Sequence, residues 1–160
     1  MQRYSILWAD DEIDLLKPHI LFLEQRGYDI TPINNGTDAV ELCNDKHFDV
    51  VFLDENMPGM SGLEALTLIK NNKPNLPVVM ITKSEEENIM EMAIGSKIAD
   101  YLIKPVNPNQ ILLSVKKNLE TKKLITRETT SAYQSEFRIL GDQINIASSY
   151  TDWEEIYRKL

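Results

Sequence analysis

The chain has 160 residues, 42% of them hydrophobic, and a formal net charge of −8 at pH 7. This length suits one packed domain plus about a third of another, and no apolar stretch approaches the roughly 20 residues of a membrane span. The acidic balance argues against direct nucleic-acid binding or an anionic-membrane surface. The single cysteine, Cys43, cannot form an internal disulfide, so we expect a buried thiol and a cytoplasmic protein.

Short β-branched runs alternate with longer stretches of helical periodicity, which indicates βαβ units around a parallel sheet. The predicted strands are 4–9, 28–33, 48–53, 78–82 and 99–103. The predicted helices are 14–26, 37–45, 62–71, 85–95 and one from about 107 onward. Pro18 favours a regular first helix that begins there after a looser turn, and Gly27 is expected to cap its C-terminus. The alternation predicts an α/β, flavodoxin-like, doubly wound sheet in the order 2-1-3-4-5.

Polar side chains follow four of the predicted strands at the point where each strand ends. Asp10 and Asp11 follow the first strand, Asp54 the third, Thr82 closes the fourth, and Lys104 follows the fifth. Ligands of open parallel sheets bind outside the carboxyl ends of the strands, at the point where the strand order reverses. The first and third strands flank that point, so we expect the three aspartates to converge.

Three adjacent carboxylates repel one another and raise each other's pKa. A hard divalent cation relieves this repulsion, and Mg²⁺ fits because it accepts one or two carboxylates while it keeps several waters. The loop 55–59 can add a main-chain carbonyl ligand. Asp54 can then act as a nucleophile toward phosphorus, since phosphoryl transfer mainly needs in-line positioning and charge neutralisation. Lys104 would supply further positive charge, and Thr82 would donate a hydrogen bond to the transferred group.

The acids allow three other interpretations. Strand-end acids can be N-caps of the following helices, but this leaves Asp54 and Lys104 unexplained. A phosphatase of the haloacid-dehalogenase type needs a second acid two residues after its nucleophile; here that residue is Asn56, which cannot act as a general acid. The remaining alternative is a module that binds partners without being phosphorylated. His19 and His47 lack metal-ligand spacing and receive no predicted role.

Residues 1–121 resemble a response-regulator receiver domain, a resemblance that no single motif carries alone. The matching segments are Asp10-Asp11-Glu12, Leu53 to Gly62, Thr82, and Tyr101-Leu102-Ile103-Lys104-Pro105. The resemblance implies that Asp54 is the phosphoacceptor and that a sensor histidine kinase is the phosphodonor. It also implies that Asp11, Asp54 and the Asn56 carbonyl bind Mg²⁺ directly, that Asp10 acts through water, and that the peptide bond before Pro105 is cis. The expected chemistry is limited to self-phosphorylation and autodephosphorylation.

Phosphorylation is expected to act through Thr82 and Tyr101, with Thr82 moving inward and Tyr101 following it. Apolar side chains cover more of 85–95 and 99–119 than one core-facing stripe requires. They predict either a homodimer surface that forms on phosphorylation or a well-buried pair of helices. Lys83 occupies a position where the family usually has a small residue, so we expect altered autodephosphorylation kinetics.

Residues 122–160 are predicted to form a helical linker or extension, with capping boxes at Ser131/Gln134 and Thr151/Glu154. The tail and the receiver motifs together resemble PorX-type response regulators. That resemblance implies an effector of the PglZ type, from the alkaline-phosphatase superfamily, beyond Leu160. Such an effector would bind Zn²⁺ and act as a phosphatase or phosphodiesterase. It further implies a role in type IX secretion, with a secretion-system or sigma-factor partner.

Overall fold

The computed structural model describes residues 3–127, and residues 121–127 by their main chain only. The strands are β1 (Tyr4–Ala9), β2 (Tyr28–Ile33), β3 (Val50–Leu53), β4 (Val78–Thr82) and β5 (Asp100–Ile103). The helices are α1 (Lys17–Glu24), α2 (Gly36–Asp45), α3 (Gly62–Asn72), α4 (Glu87–Gly95) and α5 (Pro108–Arg127), and a 3-10 turn at Ile13–Leu16 precedes α1.

The strands form one five-stranded sheet in the order β2-β1-β3-β4-β5, with every neighbouring pair parallel. The predicted flavodoxin-like fold is therefore confirmed. The strand register decides what meets at the edge of the sheet. Ala9 pairs with Leu53, and the Asp54 amide donates to the Ala9 carbonyl at 3.0 Å. Asp10 and Asp54 consequently leave the sheet side by side.

The hydrophobic core has two layers, one on each face of the sheet. One layer packs α2, α3 and α4 against side chains such as Leu7, Val51 and Met80. The other packs α1 and α5 against Trp8, Phe52 and their neighbours. All residues of β3 and β4 are buried, as expected for central parallel strands covered by helices on both faces.

The element boundaries follow the predictions closely, with small differences at element ends; β3, for example, begins at Val50 rather than at 48. Pro18 lies in the first turn of α1, as predicted, because a proline there loses no helical hydrogen bond. The same helix ends earlier than expected, at Glu24 with Gln25 as its C-cap, so Gly27 is not the cap. Gly27 instead adopts a φ of +95° in the turn that leads to β2, a conformation that glycine adopts without steric cost.

The predicted helical extension lies largely outside the described residues, as do its capping boxes at Ser131/Gln134 and Thr151/Glu154. Helix α5 continues through the expected boundary at 121/122 to Arg127. Among residues 3–127, no helix combines the length and apolarity needed to cross a membrane.

Candidate functional site

Three carboxylates meet at the carboxyl ends of β1 and β3. One oxygen from each of Asp10, Asp11 and Asp54 lies within 4.8 Å of the others. Asp10 and Asp54 are buried and Asp11 is exposed, so the cluster lies at the bottom of a site that opens to solvent on one side. The structure thus brings together the three acids that the sequence placed at this edge.

The ammonium of Lys104 lies between the two buried carboxylates. Its Nζ donates to Asp10 Oδ2 at 2.6 Å and to Asp54 Oδ2 at 3.2 Å. The main chain delivers this side chain because Lys104 directly follows β5 and its amide donates to the Thr82 carbonyl at 2.8 Å. The peptide bond between Lys104 and Pro105 is cis. The cation therefore pairs more closely with Asp10 than with the predicted phosphoacceptor.

Burial dominates the electrostatics of this cluster. Burial raises the pKa of Asp10, against the hydrogen bonds from Lys104 and from the Glu12 amide, while the charge of Asp54 raises it further. Repulsion between carboxylates is thus a smaller cause than desolvation, contrary to the emphasis of the sequence argument. For Lys104, burial lowers the pKa, but the hydrogen bond to Asp10 and the charges of both aspartates outweigh it, so its pKa is raised.

The acid cluster fits a hard divalent cation. Three carboxylates and one ammonium leave two formal negative charges in a mostly buried space, and the donors are all oxygens, the ligands that Mg²⁺ prefers. Asp11 is the exposed member of the cluster and lies on its solvent side. Receiver domains in general bind Mg²⁺ through such an acidic pocket.

A single residue, Ser84, connects the two predicted switch residues. Its amide donates to Thr82 Oγ1 at 3.3 Å, and its carbonyl accepts from the Tyr101 hydroxyl at 2.9 Å. Thr82 is fully buried and Tyr101 half-buried. The sequence gives no signal for this link, because it runs through main-chain atoms of the β4–α4 loop.

Two further residues that the sequence interpretation did not assign shape the site. Gly62, the first residue of α3, lies so close to the main chain of Asp54 that an added Cβ would be 2.3 Å from the Asp54 carbonyl oxygen. The side chain of Glu55 accepts from the Leu63 amide at 2.8 Å, and burial raises its pKa. Together they dock the start of α3 onto the loop that carries Asp54. The capping box formed by Ser61 and Glu64 is a pattern from which the sequence could have predicted this helix start.

Lys83 lies at the rim of the site. Its Nζ is 3.7 Å from Glu12 Oε1, and both side chains are largely exposed. Exposed pairs of this kind contribute little stability. The ammonium is therefore free to exchange Glu12 for a stronger anionic partner.

Only some of the apolar side chains of α4 and α5 are buried in the core. Ala93, Ile111 and Val115 are buried, whereas Met92 is 57% exposed and Ile94 and Leu113 are each 67% exposed. The first group belongs to the core layers and the second is apolar surface on the predicted homodimer face.

Comparison with known families agrees with this geometry. Residues 6–116 match the response regulator receiver domain, and residues 123–160 match the PorX response regulator linker domain. The chain belongs to the response regulator receiver family of two-component systems. The two matches in this order are those of a PorX-type response regulator, as the sequence motifs predicted.

Individual proteins with similar sequences or structures agree with this family assignment. The chain is 31% identical over 141 residues to the transcriptional regulatory protein ZraR of Klebsiella oxytoca. The aligned region covers 88% of this chain and 32% of ZraR. It is 34% identical over 122 residues to AlgB of Pseudomonas syringae, an alginate biosynthesis transcriptional regulatory protein, covering 76% of this chain and 27% of AlgB. The chain thus spans about a third of the length of these relatives. A CheY-like receiver domain from Methanospirillum hungatei superimposes with a TM-score of 0.74 at 23% identity, covering 76% of this chain and 98% of that one.

Proposed function

We propose that this chain is the phosphoryl-accepting part of a cytoplasmic response regulator and that Asp54 receives the phosphoryl group from a sensor histidine kinase. The observation that carries the proposal is the position of Lys104, whose ammonium bridges Asp10 and Asp54 at the bottom of an acidic site. A buried cation beside a carboxylate supplies the charge neutralisation that phosphoryl transfer requires.

The hydrogen bonds favour Asp54 over Asp10 as the nucleophile. Both oxygens of Asp10 are engaged, at 2.8 Å by the Glu12 amide and at 2.6 Å by Lys104. Asp54 holds longer contacts, 3.3 Å from the Asn56 amide and 3.2 Å from Lys104. Less strongly held oxygens lose less when one of them forms a new bond.

In the proposed reaction, an Asp54 oxygen attacks the phosphorus of a phosphohistidine, a P–O bond forms, and the P–N bond breaks. The imidazole leaves with the bonding electrons and takes up a proton. Lys104 stabilises the negative charge on the transferred group, and Thr82 donates a hydrogen bond to it afterwards. Asp11, Asp54 and the Asn56 carbonyl would hold Mg²⁺ directly and Asp10 would act through water; the ion would supply further charge neutralisation.

The free energy available to the switch is adequate but smaller than a simple count gives. Charge-assisted hydrogen bonds contribute roughly 1.5–3 kcal/mol each, so bonds from Thr82 and Lys104 would give about 3–6 kcal/mol. Lys104 already binds two carboxylates, so it exchanges partners and the gain lies toward the lower end. A shift from 1:99 to 99:1 needs ~5.5 kcal/mol. A gain at the lower end of the range therefore switches the chain only if the inactive state is favoured by less than about 99:1 before phosphorylation.

The signal would pass through Ser84. The Ser84 amide donates to the Thr82 hydroxyl, so it would follow if Thr82 moved toward the phosphoryl group. The Ser84 carbonyl, which accepts from the Tyr101 hydroxyl, would move as well. The rearrangement would reach α4, β5 and α5, where Met92, Ile94 and Leu113 offer apolar surface for a homodimer.

The phosphoacceptor assignment is tested by Phos-tag electrophoresis of the chain with acetyl phosphate and excess MgCl₂. We expect a shifted band that Asp54→Ala abolishes and that an exposed-acid control, Asp14→Ala, retains. An unshifted wild type under these conditions would support the alternative, a receiver-like module that binds partners without phosphorylation.

The dimer surface is tested separately by light scattering with and without beryllofluoride, a phosphoryl mimic. A mass that doubles with the mimic in the wild type and in Leu21→Asp, but not in Ile94→Asp, supports an α4–β5–α5 dimer. Leu21 is the matched control because it is an exposed leucine on α1. A monomer in both conditions would remove the dimer from the proposal.

The PorX-type match supports a role in type IX secretion as the physiological output. A secretion-system or sigma-factor partner, and a Zn²⁺-dependent effector with phosphatase or phosphodiesterase activity, stay predictions from the family resemblance. Deletion of the gene followed by assay of secreted protein, with rescue by wild type and by Asp54→Ala, tests the link.

A further inference from the structure

A histidine without a predicted role lies behind the site. His19, on α1, has its Nε2 2.9 Å from the main-chain oxygen of Val106. A carbonyl oxygen only accepts, so Nε2 carries the hydrogen. The imidazole also packs edge-on against the buried indole of Trp8, with ring centroids 6.5 Å apart and planes at 89°. Packing and hydrogen bond together hold the ring in one orientation.

The accepting carbonyl belongs to the short loop that begins with Lys104. At its start, the Lys104 amide donates to the Thr82 carbonyl at 2.8 Å. At its end, Asn107 and Gln110 bond to each other through side chains and amides at 2.8 and 2.9 Å and open α5. The bond from His19 holds the middle of the loop, two residues after Lys104.

The side chain of Val106 packs in the same core layer as Leu23 of α1, but packing between this loop and the start of α1 is incomplete. A cleft of about 400 Å³ lies there. Its lining residues come from the β1–α1 region, the β4–α4 loop and this loop: Glu12, Leu15, Leu16, His19, Lys83, Lys104, Pro105 and Val106. The His19 hydrogen bond crosses from α1 to the loop at this cleft. Such a tie matters for Lys104, because a lysine has a flexible four-carbon stem and its ammonium is positioned only as well as its main chain.

We propose that His19 is a positioning residue for phosphoryl transfer, acting through the Val106 carbonyl to keep Lys104 Nζ between Asp10 and Asp54. The effect of His19 on the phosphorylation rate rests on the proposed function of Asp54, whereas the effect of His19 on the position of the loop does not. His19 itself touches neither the acids nor the phosphoryl group.

The test compares His19→Leu, which lacks a donor, with His19→Gln, which keeps a side-chain N–H that can reach the same carbonyl. The rate of Asp54 phosphorylation by acetyl phosphate in excess MgCl₂ should fall about three- to tenfold in His19→Leu, the range set by one ordinary hydrogen bond. His19→Gln should recover most of that loss. In a Lys104→Ala background, His19→Leu should change the rate no further.

A second measurement reads the loop without any reaction. Amide hydrogen exchange at Lys104 should quicken about three- to tenfold in His19→Leu. Exchange at Val51 of β3, whose amide donates to the Pro77 carbonyl just before β4, should stay unchanged. If His19→Leu does not fold, His19→Asn, which is too short to reach Val106, replaces it.

Three results would overturn the assignment. They are a wild-type rate in His19→Leu, an equal slowing with and without Lys104, and a uniform rise of exchange at Lys104 and Val51. A wild type that takes no phosphoryl group at all would instead refute the role of Asp54, and His19 would then be judged by hydrogen exchange alone.

Discussion

The hydroxyl of Tyr101 donates a hydrogen bond to the main-chain oxygen of Ser84 at 2.9 Å, which ties β5 to the loop between β4 and α4. Because Ser84 also binds Thr82 through its amide, one loop residue links the two positions that the sequence predicted to switch. The tie has a measurable contribution to stability.

Tyr101→Phe should lower the free energy of unfolding by about 0.5–1.5 kcal/mol, the net value of one hydrogen bond, because the ring keeps its packing while the Ser84 carbonyl loses its donor. Urea denaturation measures this change. Tyr4→Phe, at the first residue of the interior strand β1, is the control. Equal losses in the two variants would show that the Ser84 contact contributes nothing specific.

Lys104→Met should destabilise the protein by roughly 3–5 kcal/mol in EDTA, since it leaves two buried carboxylates without their cation. Excess MgCl₂ should restore part of the loss, because a bound cation replaces the missing charge and stabilises the folded state by mass action. Denaturation curves with and without the metal provide the comparison, with the exposed Lys116→Met as control. A variant that is equally stable in both buffers would contradict the proposed metal site.

Gly62→Ala should be poorly tolerated, as its Cβ would meet main-chain atoms of Asp54 and Glu55 at 2.3–2.9 Å. Overpacking of this kind costs about 1–3 kcal/mol, and moving α3 away from Asp54 should also slow phosphorylation. Gly95→Ala is the matched control, because nothing lies within 4 Å of its added Cβ. Wild-type stability in Gly62→Ala would show that the helix start can shift freely.

Lys83→Ala should change the free energy of unfolding by less than about 0.5 kcal/mol, because the pair with Glu12 is long and exposed. Its effect should be on the acyl phosphate, whose lifetime should shorten as water gains access past the missing side chain. The lifetime is measured by decay of the Phos-tag-shifted band after removal of the donor. Glu12→Gln, which releases Lys83 toward the phosphoryl group, should lengthen the acyl-phosphate lifetime. A longer lifetime in Lys83→Ala together with a shorter one in Glu12→Gln would exclude the shielding role.

Cys43 should resist thiol reagents in the folded protein. It is buried in α2, and burial raises the pKa of its thiol to about 11 from 9.0, so little thiolate forms at neutral pH. Labelling with a chromogenic disulfide at pH 8 should be slow and become complete in urea. Because the folded pKa is the higher one, the stability that depends on the neutral thiol is present below pH 9 and is lost as pH rises through 11. Fast labelling of the native protein would indicate local opening of α2.

Much of the site could be read from the sequence because strand ends are encoded locally. Apolar β-branched runs fix where β1, β3 and β4 stop, and parallel pairing then brings Asp10, Asp54 and Thr82 to one edge. The strand order followed from the same alternation. The early end of α1 at Glu24 was missed because capping depends on the main-chain path into β2, which the residue types near Gly27 do not specify uniquely.

The chain by itself determined the class of fold, the edge that carries the chemistry and the kinds of groups present there. Only the tertiary structure decided which groups touch. Lys104 pairs more closely with Asp10 than with Asp54, Ser84 joins Thr82 to Tyr101, and His19 reaches the carbonyl of Val106. The first and last of these contacts span 94 and 87 residues. Contacts at that separation are set by how packed helices and loops meet, whereas local hydrophobic periodicity reports only which face of each element is buried.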